Sequence, residues 1–172
     1  EILSNKKTHP NPVVRNLLVN GLAQVIGSKG LAGGQSLDLL YENKKKNLNK
    51  IIKMYEMKTA ALFSFTCSAP LIMSEKNKKE ISFAYQFGKI FGLIFQITDD
   101  ILDLEKDFKI LGKTPGKDKQ QGKSTLISIL NKKKLIEFCF DEIEKFKYKN
   151  IKFFKKYPIL NELIYFNIKN LN

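Results

Sequence analysis

Three carboxylates fall within five residues in the stretch Gln96-Ile97-Thr98-Asp99-Asp100-Ile101-Leu102-Asp103. At about 100° per residue, a helix gathers Gln96, Asp99, Asp100 and Asp103 within roughly one third of its circumference. Gly92 lies one turn earlier on that stripe and Lys89 a turn before it, while Phe83, Phe87, Ile90, Ile94, Ile97 and Ile101 take the other side. Unpaired carboxylates buried side by side cost several kcal/mol each, so they need protons, cations or a metal. No lysine or arginine follows Asp99 or Asp100 by three or four residues, although Lys106 is placed to answer Asp103. Hard oxygen donors in this pattern suit Mg²⁺ held together with a phosphate. The same acids also describe the solvated face of an amphipathic helix. Downstream lie Gly112-Lys113-Thr114-Pro115-Gly116-Lys117-Asp118 and Gly122-Lys123-Ser124-Thr125. Acids on a helix followed by Gly-Lys loops point to a metal that bridges carboxylates to an anion, with lysines holding the anion directly.

The elements that must position these groups read as helices. Asn11-Pro12 suits an N-cap and first helical position, and Val14, Leu17, Leu18, Leu22, Val25 and Ile26 keep a 3.6-residue period to about Ser28. Leu31 to Leu40 carries Gly33-Gly34-Gln35 and Asp38, small residues for a close helix contact or, alternatively, a plain turn. A helix opening near Leu48 carries Lys58-Thr59 in an otherwise apolar run, where a cation needs a partner or must reach for solvent. After 74–79 comes the acid-bearing helix, predicted to end near Glu105, and a Gly/Lys/Asp/Pro-rich loop over 107–121 of the kind that lines active sites. Ser124 is placed to cap a helix holding Leu126, Ile129, Leu130, Leu135, Ile136, Phe138, Ile143 and Phe146, and a last helix starts near Pro158. No strand pair or repeat stands out. The class is all-α.

The chain has 172 residues, length for one domain, and 30 basic against 17 acidic residues, net +13. Arg15 is its only arginine. Nucleic-acid binders use arginine for bidentate contacts, so this lysine bias argues against such a partner. Cys67 and Cys139 lie apart in apolar patterns and read as buried free thiols of a reducing compartment. His9, the one histidine, sits beside Pro10 in a polar loop and is expected to be exposed. No stretch approaches the ~20 apolar residues of a membrane span.

Taken together, the motifs resemble the trans-isoprenyl diphosphate synthases, and the short-chain bacterial farnesyl diphosphate synthases most closely. The matching residues are Gly33-Gly34-Gln35 with Asp38, Lys58-Thr59, Phe95 to Asp103, Gly112-Lys113 with Gly116 and Asp118, and Gly122 to Thr125, in the family's order. The resemblance implies an antiparallel helical bundle around a central cavity, with two aspartate-rich motifs facing each other across its mouth. Asp99, Asp100 and Asp103 would form the second motif and, with Asp118, the metal site, Asp99 as a direct Mg²⁺ ligand, Asp103 acting through water and Asp118 holding metal-bound water. Lys58, Lys113 and Lys123 would bind the allylic diphosphate. Thr59 and Gln96 would face the reacting carbons, and Gln35 and Asp38 would line the same cavity. An allylic diphosphate ionises to a carbocation and pyrophosphate, and isopentenyl diphosphate attacks the cation. Cations fixed around the leaving group lower that barrier, and oriented dipoles line the wall beside the carbocation.

The resemblance further implies three Mg²⁺ ions shared with a first aspartate-rich motif that this chain lacks. The 172 residues are therefore expected to be one domain, the C-terminal part of a longer synthase without its N-terminal helices, and inactive alone. A noncatalytic subunit of a heteromeric synthase and a longer-chain, geranylgeranyl synthase are the alternatives. A homodimer in the cytoplasm, without stable membrane insertion, is implied as well.

Overall fold

A computed structural model describes residues 1–111, 125–169 and 171, and the backbone alone for 105–111. Lys113, Asp118, Lys123, Ser124 and the Lys106 side chain, all assigned roles above, lie outside the described residues. Among the described residues the chain is helical throughout, with no strand.

Asn11 caps α1 (Pro12–Ile26), its side chain accepting from the Val13 N–H at 2.9 Å. The short link 27–30 leads into α2 (Leu31–Tyr41), so Gly33-Gly34 is a helical contact and not a turn. Asn47 caps α3 (Leu48–Tyr55), which runs without a break into a π-helical turn, Glu56–Ala60, and on into α4 (Ala61–Met73). The Ala61 N–H donates to the Glu56 carbonyl, five residues back. α4 ends in a paired-bond stop, with Glu75 N–H donating to Ile72 O and Lys76 N–H to Leu71 O. Glu75 takes the left-handed conformation usually given to glycine there, φ 50°. Asn77 and Glu80 then form a reciprocal cap for α5 (Lys78–Leu111).

α5 has 34 residues and is about 50 Å long at 1.5 Å per residue. It was expected to stop near Glu105; it continues to Leu111 because nothing before Gly112 breaks a helix. Its apolar stripe is buried as the sequence predicts: Phe83, Phe87, Ile94, Ile97 and Ile101 are all under 10% exposed. Leu126–Ser128 is a 3₁₀ turn, and the helix expected from Ser124 starts only at α6 (Lys132–Lys149), where Asn131 accepts from the Lys134 N–H at 2.9 Å. Asn131 caps this start, its side chain satisfying an orphan N–H group of the first turn. α6 buries Leu135, Cys139, Ile143 and Phe146, one residue per turn, and α7 (Ile151–Lys156) and α8 (Ile159–Lys169) complete the cover of α5. Phe83 stacks on Phe153 with ring centres 4.1 Å apart and on Phe146 at 5.7 Å, which ties these last helices to the first half of α5.

His9 departs from expectation. Its side chain is only 14% exposed: Nδ1 accepts from the Asn11 N–H at 3.1 Å, and Arg15 donates to its carbonyl at 2.6 Å. The loop before α1 needs these bonds because prolines at 10 and 12 remove two of its own donors. Cys67 and Cys139 are free thiols, Cys139 fully buried and Cys67 partly so.

Candidate active site

Backbone contact between α4 and α5 sets the site. A Cβ added at Gly88 would lie 2.3 Å from the Phe63 carbonyl oxygen, and one at Gly92 would lie 2.8 Å from Ala60 Cα and 2.9 Å from Phe63 Cβ. Only glycine permits that approach. The same antiparallel row brings Gln96, one turn after Gly92, to Thr59 in the π turn, and the Thr59 hydroxyl donates to Gln96 Oε1 at 2.6 Å. On its other side Gln96 Nε2 donates to Asp100 Oδ1 at 3.0 Å.

Asp100 turns inward. Its second oxygen accepts from the Tyr55 hydroxyl, at the end of α3, and that hydroxyl accepts from the Leu126 N–H at 3.1 Å. Burial pushes the Asp100 carboxyl up to about 6; the bonds from Tyr55 and Gln96 pull it back down, and the charges of Asp99 and Asp103 add to the rise. Burial first, and the Asp100 charge second, hold the Tyr55 phenol above its ordinary range, so it stays a donor. Asp99 and Asp103, one turn apart, are exposed on the outer edge of the same helix.

Lys58 finds the partner that its apolar surroundings demand. Its ammonium, 32% exposed, is paired with Asp38 of α2, whose side chain is 11% exposed. Gly34 makes the pairing possible, since a Cβ there would lie 2.2 Å from the Lys58 backbone nitrogen. Gln35 is exposed on α2, one turn before the paired Asp38. Glu56 and Lys89 form a second cross-link between the π turn and α5 at 3.0 Å. Beside Thr59 and Gln96, Phe63 packs against Phe91 and Phe95 with ring centres 5.6 and 5.3 Å away, an apolar wall without nucleophiles.

The structure therefore brings Asp38, Lys58, Thr59, Gln96, Asp99, Asp100 and Asp103 to one end of the α2–π turn–α5 contact. Sequence reasoning missed Tyr55, which lies within the apolar run that carries Lys58. A tyrosine in a buried stripe needs a partner for its hydroxyl, which is the signal it gave. Its partner lies 45 residues away, and no local pattern names it. Among the described residues, no three acidic, cysteine or histidine side chains are grouped closely enough to hold a metal. Asp99 and Asp103 are exposed hard oxygen donors one turn apart, a set that would suit a Mg²⁺ ion completed by phosphate and water rather than by a protein cage.

A family model described as polyprenyl synthetase matches residues 11–145. The farnesyl diphosphate synthase of Micrococcus luteus is 37% identical over 123 residues, covering 72% of this chain and 42% of that protein. Geranylgeranyl pyrophosphate synthase 4 of Arabidopsis thaliana is 37% identical over 132 residues, 75% of this chain and 34% of that one. The crystal structure of a geranyltransferase from Helicobacter pylori, complexed with magnesium and isoprenyl diphosphate, superposes with a TM-score of 0.73 at 27% identity, over 94% of this chain and 53% of that chain. The chain spans less than half the length of these two curated relatives. With more than half of its residues matched by the family model, the chain belongs to the polyprenyl synthetase family.

Proposed function

We propose that the protein containing this chain is a Mg²⁺-dependent prenyltransferase that condenses isopentenyl diphosphate with dimethylallyl or geranyl diphosphate, giving farnesyl diphosphate and pyrophosphate. The observation that carries the reading is the Thr59–Gln96 contact, 2.6 Å, made one turn from the aspartates and beside Lys58. It places oriented oxygen dipoles, a cation and hard carboxylates around one edge, next to the Phe63–Phe91–Phe95 wall. In this reading Lys58, with Lys113 and Lys123, binds the diphosphate of the allylic substrate, and Asp38 and Gln35 border the same space. Thr59 and Gln96 turn lone pairs toward the allylic cation and give it no nucleophile strong enough to trap it. The phenyl wall excludes water from the prenyl chain. Asp99, Asp100 and Asp103, with Asp118, are the residues that would hold Mg²⁺, and the metal would supply charge neutralisation for the departing pyrophosphate.

The chain has one aspartate-rich motif, so the 172 residues alone are proposed to be inactive. A homodimeric assembly belongs to the same proposal. Among the described residues no helix is long and apolar enough to cross a membrane. Farnesyl length follows the bacterial relative, while the plant relative of equal identity is a geranylgeranyl synthase by name. Incubating the full-length protein with Mg²⁺, isopentenyl diphosphate and geranyl diphosphate, and reading products by mass spectrometry, tests reaction and length together. A folded protein that yields no prenyl product from any allylic starter refutes the enzyme reading and favours a noncatalytic subunit.

A further inference from the structure

Tyr55 lies outside every motif named so far, yet its hydroxyl closes a continuous run of hydrogen bonds. Leu126 N–H donates to the Tyr55 oxygen, Tyr55 O–H to Asp100, Gln96 Nε2 to the other Asp100 oxygen, and Thr59 O–H to Gln96 Oε1. With Asp100 ionised, the donor directions along the run follow from one another. An ionised carboxylate only accepts, so Gln96 must turn its amide nitrogen toward Asp100 and its carbonyl toward Thr59. Thr59 must then spend its one proton on that carbonyl, which leaves its lone pairs for the open side. Asp100 can impose this orientation only while its own carboxylate is fixed, and the 3%-exposed Tyr55 is what fixes it from the α3 side. With one hydrogen bond to each of its oxygens from inside the protein, Asp100 holds the orientation of Gln96.

We infer that Tyr55 is a positioning residue for prenyl transfer: through Asp100 it sets the amide orientation of Gln96 and, through Gln96, the direction of the Thr59 hydroxyl. The inference rests on the prenyltransferase reading. Without Tyr55, Asp100 gains freedom, the Gln96 amide can turn over, and the Thr59 proton can point at the allylic cation instead of away from it. Binding of the diphosphates, which uses lysines and the aspartate edge, is left in place.

The test compares wild type, Tyr55→Phe and Asp100→Asn in the full-length protein. Tyr55→Phe should lower kcat about tenfold with both KM values within about twofold, because a dipole aimed at the transition state is lost while ground-state binding is kept. The share of allylic alcohol released instead of condensed product should rise. The double variant should lose little more than either single one, as members of one network do. In ¹⁵N-glutamine-labelled protein, the Gln96 side-chain amide signal, identified by its absence in Gln96→Leu, should shift and lose exchange protection in Tyr55→Phe. Should Tyr55→Phe fail to fold, Asp100→Asn carries the same readouts. An active wild type with unchanged kcat, alcohol share and amide signal in the variants overturns the inference alone. A loss of rate that disappears when the assay is cooled below the variant's melting range makes Tyr55 merely structural and overturns it too. An inactive wild type overturns the prenyltransferase reading instead.

Discussion

Adding one methyl group at Gly34 should do more damage than its size suggests. The new Cβ would sit 2.2 Å from the Lys58 nitrogen and 2.5 Å from the Lys58 Cα, both backbone atoms, where ordinary contact begins at 3.4 Å. No side-chain rotation relieves this. α2 must withdraw from the π turn by about 1 Å, forfeiting much of the packing between them. Overpacking of this kind costs about 1–3 kcal/mol. The withdrawal also pulls Asp38 from Lys58, a half-buried charged hydrogen bond worth a further ~1.5–3 kcal/mol, discounted because Lys58 is 32% exposed. Against these, Gly→Ala inside a helix returns about 1 kcal/mol. The net expectation for Gly34→Ala is a loss of about 2–4 kcal/mol. Gly21→Ala is the matched control: its Cβ would meet only the Phe65 ring, at 3.1 Å, a side-chain edge that can yield. That variant should lie within about 1 kcal/mol of wild type. Urea unfolding of the full-length protein followed by circular dichroism measures both. Equal stabilities for the two alanine variants, or a loss below about 1 kcal/mol at Gly34, would show that α2 is not clamped on the Lys58 backbone as described. In the assay of prenyl transfer, Gly34→Ala should also weaken allylic diphosphate use, since Lys58 moves with its partner.

Asp99→Ala should lower Mg²⁺-dependent turnover by about 10²-fold or more; near wild-type rates with unchanged Mg²⁺ dependence would remove Asp99 from the metal edge. Cys139 should resist iodoacetamide at pH 8 in the folded protein and react once urea unfolds it. Burial first, and Glu142 second, push its thiol up to about 12, so almost none is thiolate at pH 8. Mass spectrometry of the native reaction showing Cys139 labelled as fast as a free thiol would contradict this. Lys155→Ala and Lys145→Ala should leave stability within about 0.5 kcal/mol and turnover unchanged, because Lys155 is exposed and Lys145, exposed as well, pairs with its neighbour Glu142 at 2.9 Å on α6. A large loss of turnover in a folded variant would place that face in the mechanism.

Much of this site could be read from the chain because its parts follow local rules. The α5 stripe is one period held from Phe83 to Ile101, and its buried face is the one that period selects. The aspartates, Gln96 and Lys58 were found because a carboxylate cluster and a cation in an apolar run both demand partners. Asp38 answered the second demand from twenty residues away, and the two adjacent glycines of α2 were the clue to that contact. Chain breaks were read less well. The end of α5 and the gap between the 3₁₀ turn and α6 depend on which capping group wins, and Asn131 competed with Ser124 on equal chemical terms.

The π turn was invisible for a different reason, and it is what the site depends on. An α-helix continued from Ile51, Met54 and Tyr55 would next bury Lys58, Leu62 and Phe65, one residue per turn. The residues actually buried after Tyr55 are Ala60, Ser64, Phe65 and Ser68. Leu62 faces outward at 36% exposed. The buried row is thus carried forward by the extra residue that the Glu56-to-Ala61 bond takes up, and Lys58 and Thr59 come off the core face to the half-exposed edge where Asp38 and Gln96 meet them. A straight helix would bury the Lys58 ammonium at a cost of several kcal/mol, whereas the π turn gives up hydrogen-bond regularity at one step to spare it. The signal was present in the sequence as a contradiction, a lysine at a core position of an otherwise regular stripe. Read as a register shift and not as a snorkelling side chain, that contradiction locates the bulge within a turn.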